Sequence, residues 1–231
     1  MELTGVRTLV VGGTGALGGK LVRALHEAGA RSVVTGRSTD RLAALDGIAE
    51  GTVELDLLDV AACREAVARA ADTLGGLDLV VVASGVAGFG SAAETPDAVT
   101  EELFAVNAFG PIAVLSAAVP VMSAGGTLVA LSAILADAPM AQMAAYSASK
   151  AALTAWLTAL RLEQRRHGRT VFDIRPPHVD TGLAGRAVAG EAPPLTAAVT
   201  AEEVVRRVVD GIRDGRRELS YDLSAKEFRT R

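Results

Sequence analysis

The chain has 231 residues, half of them apolar, and a formal charge of −4. That is enough to bury one sizeable core in a single domain, 1–231, and it excludes the densely basic face a nucleic-acid partner requires. One cysteine, Cys63, excludes an internal disulfide and fits a reducing, cytoplasmic setting. No secretory leader is expected at the N-terminus, and no apolar run reads as long and unbroken enough to cross a bilayer.

The first β-branched run, TLVVG (8–12), leads into a helix over 17–28. Between them, VVGGTGALGG sets Gly12, Gly15 and Gly18 three residues apart, with Thr14 and Leu17 in the same turn. A dinucleotide site needs such glycines for the turn, for backbone approach to a pyrophosphate and for close helix–strand packing. The helix N-terminus then presents unpaired N–H groups to the phosphates. The second strand, SVVTG (32–36), ends not on a carboxylate but on Arg37 and Ser38. A guanidinium beside a hydroxyl suits a ribose 2′-phosphate, so the expected cofactor is NADP(H).

Further along, helices are expected over 39–46, 60–74, 97–122, 145–167 and 201–214, the last capped by Thr200 with Glu203 three positions on. Strands are expected at 52–56, 77–83, 126–132 and 170–176, with a short closing strand at 217–221. Nearly continuous apolar strands alternating with helices predict an α/β fold: a doubly wound Rossmann-type parallel sheet of about seven strands, covered on both faces.

In the helix over 145–167, Tyr146 and Lys150 are four residues apart and share a face. Hydride transfer at a carbonyl carbon needs a proton moved at its oxygen. A free phenol is a poor base at neutral pH, and a neighbouring ammonium is expected to lower its pKa. The segment 178–200 is small and proline-punctuated and reads as a substrate lid. With Ile134, Leu135, Met140 and Met143 opposite, it predicts an apolar small-molecule substrate. His178 is a candidate substrate contact, and no histidine–carboxylate spacing suggests a metal site.

Taken together, the glycine turn, ELDLLD (54–59), FAVNAFGP (104–111), YSASK (146–150) and RPPHVDT (175–181) resemble the short-chain dehydrogenase/reductase family in order and spacing. The resemblance implies that Asp56 and Leu57 hold the adenine edge, and that Ala83, Gly85 and Pro176 line the cofactor site. It implies that Thr181 meets the nicotinamide carboxamide, that Lys150 also binds the nicotinamide ribose, and that Asn107 kinks its helix and holds a relay water. It also implies a homodimer or homotetramer built through the 97–122 and 145–167 helices.

Three departures stand out. The family places a serine thirteen residues before the tyrosine; here that position is Ala133, and Ser132 lies one step further back. Either Ser132 swings into place, which is the expectation, or the hydroxyl is absent. The family's Asn-Asn-Ala-Gly is VASG (82–85), and its Pro-Gly is Pro176-Pro177. The leading function is thus NADP(H)-dependent reduction or oxidation at a carbonyl or alcohol. The rivals are a cofactor-binding protein without turnover and a non-redox dehydratase or isomerase.

Overall fold

The strands of the protein, described over residues 1–194 and 196–231 of a computed structural model, form one eight-stranded sheet. They are β1 (Arg7–Val11), β2 (Arg31–Gly36), β3 (Gly51–Glu54), β4 (Leu77–Val82), β5 (Met122–Leu131), β6 (Thr170–Arg175), β7 (Glu218–Asp222) and β8 (Glu227–Thr230). Their order is β3-β2-β1-β4-β5-β6-β7-β8, parallel throughout except for β8, which returns antiparallel to β7. The expected fold class holds, with one strand more than the seven expected. β8 is a polar edge strand whose residues are exposed except for half-buried Phe228, so it carries no apolar signature. Phe228 anchors it by stacking edge-on against Tyr221 at 5.2 Å, with the Arg207 guanidinium 4.8 Å from its ring centre.

Helices cover both faces. α1 (Ala16–Glu27), α2 (Thr39–Ala43) and α7 (Ala201–Asp214) bury Leu21, Leu25, Leu42, Val204 and Val208 against one face. α3 (Val60–Leu74), α5 (Gly110–Ala118) and α6 (Ala144–Gln164) bury Ala66, Val67, Val114, Leu115, Leu153 and Leu157 against the other. The cap of α7 is as expected: the Thr200 hydroxyl accepts from Glu203 N.

The helix expected over 97–122 is present as one continuous run, Asp97–Val121, though not α throughout. α4 (Asp97–Phe104) passes through a π turn, Ala105–Phe109, into α5, then into a 3₁₀ turn at Val119–Val121. α5 is apolar on most of its sides, so the phase shift that a π turn introduces is not visible in the periodicity. By length and hydropathy the run Asp97–Val121 does reach the size of a membrane span, correcting the expectation above; half of its most apolar stretch is buried within the fold.

Candidate active site

The strand order reverses between β1 and β4, and a crevice opens there at the carboxyl ends of the parallel strands. It is a cavity of about 810 Å³ that runs from the glycine turn to the 178–200 segment. Fifteen of the residues expected to serve it line one wall or another: Gly12, Thr14, Gly15, Leu17, Arg37, Ser38, Asp56, Leu57, Ala83, Gly85, Ser132, Tyr146, Lys150, Pro176 and Thr181. Two do not, Gly18 and Asn107, and each has a structural task nearby.

At the cofactor end, Gly12 turns with φ +79°, a conformation that disfavours a side chain, and a Cβ there would meet Ser84 Oγ at 2.1 Å. Gly18, inside α1, packs so closely that a Cβ would stand 2.1 Å from the Gly12 carbonyl oxygen. It brings the N-terminus of α1 onto the turn, where the first N–H groups of the helix have no intrahelical partner. Arg37 is exposed at the mouth, and Arg41 joins it on the cavity wall. Neither forms an ion pair among the described residues, so both guanidiniums remain available to an anion. Ser38 caps α2, its hydroxyl accepting from Arg41 N at 3.4 Å. Asp56 accepts from Leu58 N at 3.1 Å, which sets the loop that carries Leu57 into the cavity.

Tyr146 and Lys150 emerge from the first turns of α6 into the same cavity, both nearly buried at 7% and 4% exposure. The Lys150 ammonium donates to the Leu131 carbonyl at 3.1 Å. A methyl placed on Gly85 would lie 3.1 Å from Lys150 Nζ and 3.2 Å from Asn107 Oδ1, so both polar heads converge over that glycine. Burial sets the protonation of the pair. It pushes the Tyr146 phenol up to about 12 and draws Lys150 down to about 8, against the opposing charge of Asp173. The expected lowering of the phenol by the ammonium is therefore outweighed here by desolvation.

Asn107 sits in the π turn, fully buried, and its carboxamide is engaged on both sides: with the Val86 backbone and with Ser149 Oγ at 3.1 Å. It braces the loop after β4, where VASG lacks the family's asparagines.

Ser132 lines the cavity, but its hydroxyl donates to Asp173 Oδ1 on β6, and no direct hydrogen bond joins it to the Tyr146 hydroxyl. Ala133, one residue on, packs in the same apolar cluster as Tyr146 and lines the cavity. Asp173 in turn receives Arg175 Nη1 at 2.9 Å, and Arg175 reaches Asp137 at 2.9 Å and Glu218 at 3.3 Å. Two charges at alternate positions of an otherwise apolar strand, Asp173 and Arg175, were the sequence signal for this network.

Val86, Phe89, Ile134, Met140, Met143 and Leu183 give the substrate end its apolar wall, with His178, Arg186 and Thr196 as polar members. The 178–200 segment is tied across this end. Val188 N donates to Ala87 O at 2.8 Å, Phe89 N to Ala189 O at 2.9 Å and Ala198 N to His178 O at 3.2 Å. Leu195, within the expected lid, lies outside the described residues. Leu223, in the β7–β8 turn, also reaches the cavity; sequence reasoning missed it together with β8.

Comparison with known proteins agrees with this geometry. The short chain dehydrogenase family profile matches residues 7–192. Dehydrogenase/reductase SDR family member 7B of Bos taurus is 31% identical over 197 residues, covering 79% of this chain and 61% of the relative. The chain thus spans about three-fifths of the length of that curated relative. An uncharacterized oxidoreductase of Myxococcus xanthus is 34% identical over 190 residues, covering 79% of this chain and 75% of its own. Among solved structures, a short chain dehydrogenase from Burkholderia cenocepacia in complex with NADP superposes with a TM-score of 0.81 at 29% identity, covering 92% of each chain.

Proposed function

The chain belongs to the short-chain dehydrogenase/reductase family, and on that premise we propose that it is an NADP(H)-dependent oxidoreductase acting on the carbonyl or alcohol of a largely apolar small molecule. The observation that carries this is the opening of Tyr146 and Lys150 into the same cavity as the glycine turn and Arg37. The residues present fit the cofactor. The α1 N-terminus and glycine turn would hold the pyrophosphate, Arg37 and Arg41 the 2′-phosphate, Asp56 and Leu57 the adenine side, and Lys150 the nicotinamide ribose. The Burkholderia relative's NADP complex supports the same choice.

When bound, the reduced nicotinamide supplies a hydride to a carbonyl carbon. Tyr146 would give its phenolic proton to the carbonyl oxygen, completing the alcohol. In the reverse direction the phenolate takes the hydroxyl proton. Lys150 stabilises that phenolate, and the apolar wall keeps water from the reacting atoms. Asn107 holds the loop after β4 in place beneath this pair.

A second reading, cofactor binding without turnover, is favoured by the commitment of Ser132 to Asp173, while position 133 on the cavity wall carries only a methyl. A panel of apolar ketones and aldehydes with NADPH, followed at the nicotinamide absorbance, separates the two. Consumption of NADPH with alcohol formation supports the enzyme; tight NADPH binding with no turnover across the panel supports the binding protein.

A homodimer or homotetramer through the α4–α5 and α6 surfaces and a cytoplasmic location complete the proposal. Phe109 and Leu162, 56% and 72% exposed on those elements, are apolar side chains that a partner copy would cover. Sedimentation of the purified chain tests the assembly.

A further inference from the structure

One buried ionisable group lies outside the proposed chemistry yet sits on the strand beside the carbonyl that holds Lys150. Asp173 is 1% exposed on β6, where the register sets it beside Ala130 of β5, next to the Leu131 carbonyl that holds Lys150. It accepts the Ser132 hydroxyl and an Arg175 N–H. A carboxylate with so little contact with water keeps its charge only where partners replace the lost hydration. From these contacts we infer that Asp173 is a positioning residue for Lys150, a buried counter-charge one strand away from the carbonyl that holds the ammonium, with the Ser132 hydroxyl committed to it.

The charges around the pair are few. From β6 come Asp173 and Arg175, the latter also paired with Asp137 and with Glu218 of β7. From α6 itself come Tyr146 and, further along, Arg161, which shares Glu218. The π turn contributes only neutral Asn107 and the loop after β4 only backbone. Asp173 opposes the desolvation that lowers Lys150; burial holds its own carboxyl above the ordinary value, and Ser132, Arg175, Thr154 and Arg161 pull back toward the ionised form. Lys150 and Asp173 do not form a direct ion pair, so the effect is through space and survives the movement of the lysine head toward a ribose.

The importance of Lys150 to the nicotinamide ribose rests on the proposed function, but its protonation does not. The chain has three lysines, Lys20, Lys150 and Lys226, and the other two are exposed. Labelling lysine at the ε-carbon therefore gives three NMR resonances, with Lys150 assigned by its loss in Lys150→Met. In the wild type its titration midpoint is expected near 8. In Asp173→Asn it should fall by about half a pH unit or more, because the stabilising negative charge is gone. Asp173→Ser carries the same expectation should the amide variant fold poorly, and Asp173→Glu should return the midpoint toward the wild-type value. NADPH titrations across the same pH range should show affinity lost at lower pH in the neutral variants.

An unmoved midpoint in a folded neutral variant overturns the assignment. A moved midpoint with an unmoved pH dependence of NADPH affinity overturns its positioning role. Failure of the wild type to bind NADPH at all would sink the proposed function instead, and the midpoint comparison would still stand.

Discussion

Asn107 grips the Val86 backbone with both ends of its carboxamide: Oδ1 accepts from Val86 N at 3.0 Å, and Nδ2 donates to Val86 O at 3.0 Å. The pair works like one rung of a ladder between the π turn and the loop after β4, in a place where both residues are buried. Asn107→Ala would leave two buried backbone groups unpaired, and the expected loss of stability is about 2–4 kcal/mol. Because Gly85 adjoins this rung, NADPH affinity should fall too. Thermal unfolding and a fluorescence titration with NADPH check both; an unchanged melting temperature would show that water replaces the amide without cost.

Cofactor choice should turn on the mouth of the cavity. Arg37→Asp replaces a guanidinium with a charge that repels a 2′-phosphate, and NADPH affinity should drop about tenfold or more relative to NADH. Arg41 lines the same wall, so the double variant Arg37→Asp/Arg41→Asp should complete the switch. Parallel titrations with the two cofactors decide the matter. Equal affinities in wild type and variant would make Arg37 a bystander.

Removing only the phenolic hydroxyl in Tyr146→Phe should lower turnover by about 10²–10⁴ and leave NADPH binding near the wild-type value. The pH dependence follows from the direction of the shift. Burial holds the Tyr146 proton up to about 12, so the acid form persists through the neutral range and carbonyl reduction should not lose this group there. Alcohol oxidation needs the phenolate, whose share grows with pH, and should climb through the alkaline range. Rate profiles in both directions test this; oxidation that is flat with pH would contradict it.

Ser132 and Ala133 make opposite forecasts. With its hydroxyl given to Asp173, Ser132→Ala should cost about 1–2 kcal/mol of stability while kcat/KM stays within a few-fold. Ala133→Ser places a hydroxyl on the cavity wall, at the position the family's serine occupies, and should raise kcat/KM about tenfold. Steady-state kinetics beside thermal melts separate the two, and a large fall in kcat/KM in Ser132→Ala would return that residue to the substrate.

The parallel sheet and the glycine turn were legible because their signals are local: apolar runs of strand length, turn glycines at fixed spacing, Tyr146 and Lys150 one helical turn apart. What escaped depended on partners distant in the chain. The direction of the Ser132 hydroxyl is decided by Asp173, 41 residues on, and no count back from Tyr146 contains that information. Asn107 was placed by its motif, but its grip on Val86 joins residues 21 apart. β5 begins at Met122, not 126, because Met122 pairs with Leu77 across a register shift that glycine-rich MSAGGT tolerates. β8 was missed because an edge strand needs no apolar face to pair.

That last strand has a consequence for how copies of the chain can meet. The N–H and C=O groups of β7 that would otherwise point outward are already spent on β8, through Leu219–Thr230, Ser220–Arg229, Tyr221–Phe228 and Asp222–Glu227. The rim of the sheet beyond it is four residues long and carries Glu227 and Arg229, the latter paired with Asp222. A short, charged border is a poor template for another strand. At this side the sheet thus covers β7 with a short, charged strand of its own, which disfavours strand addition here.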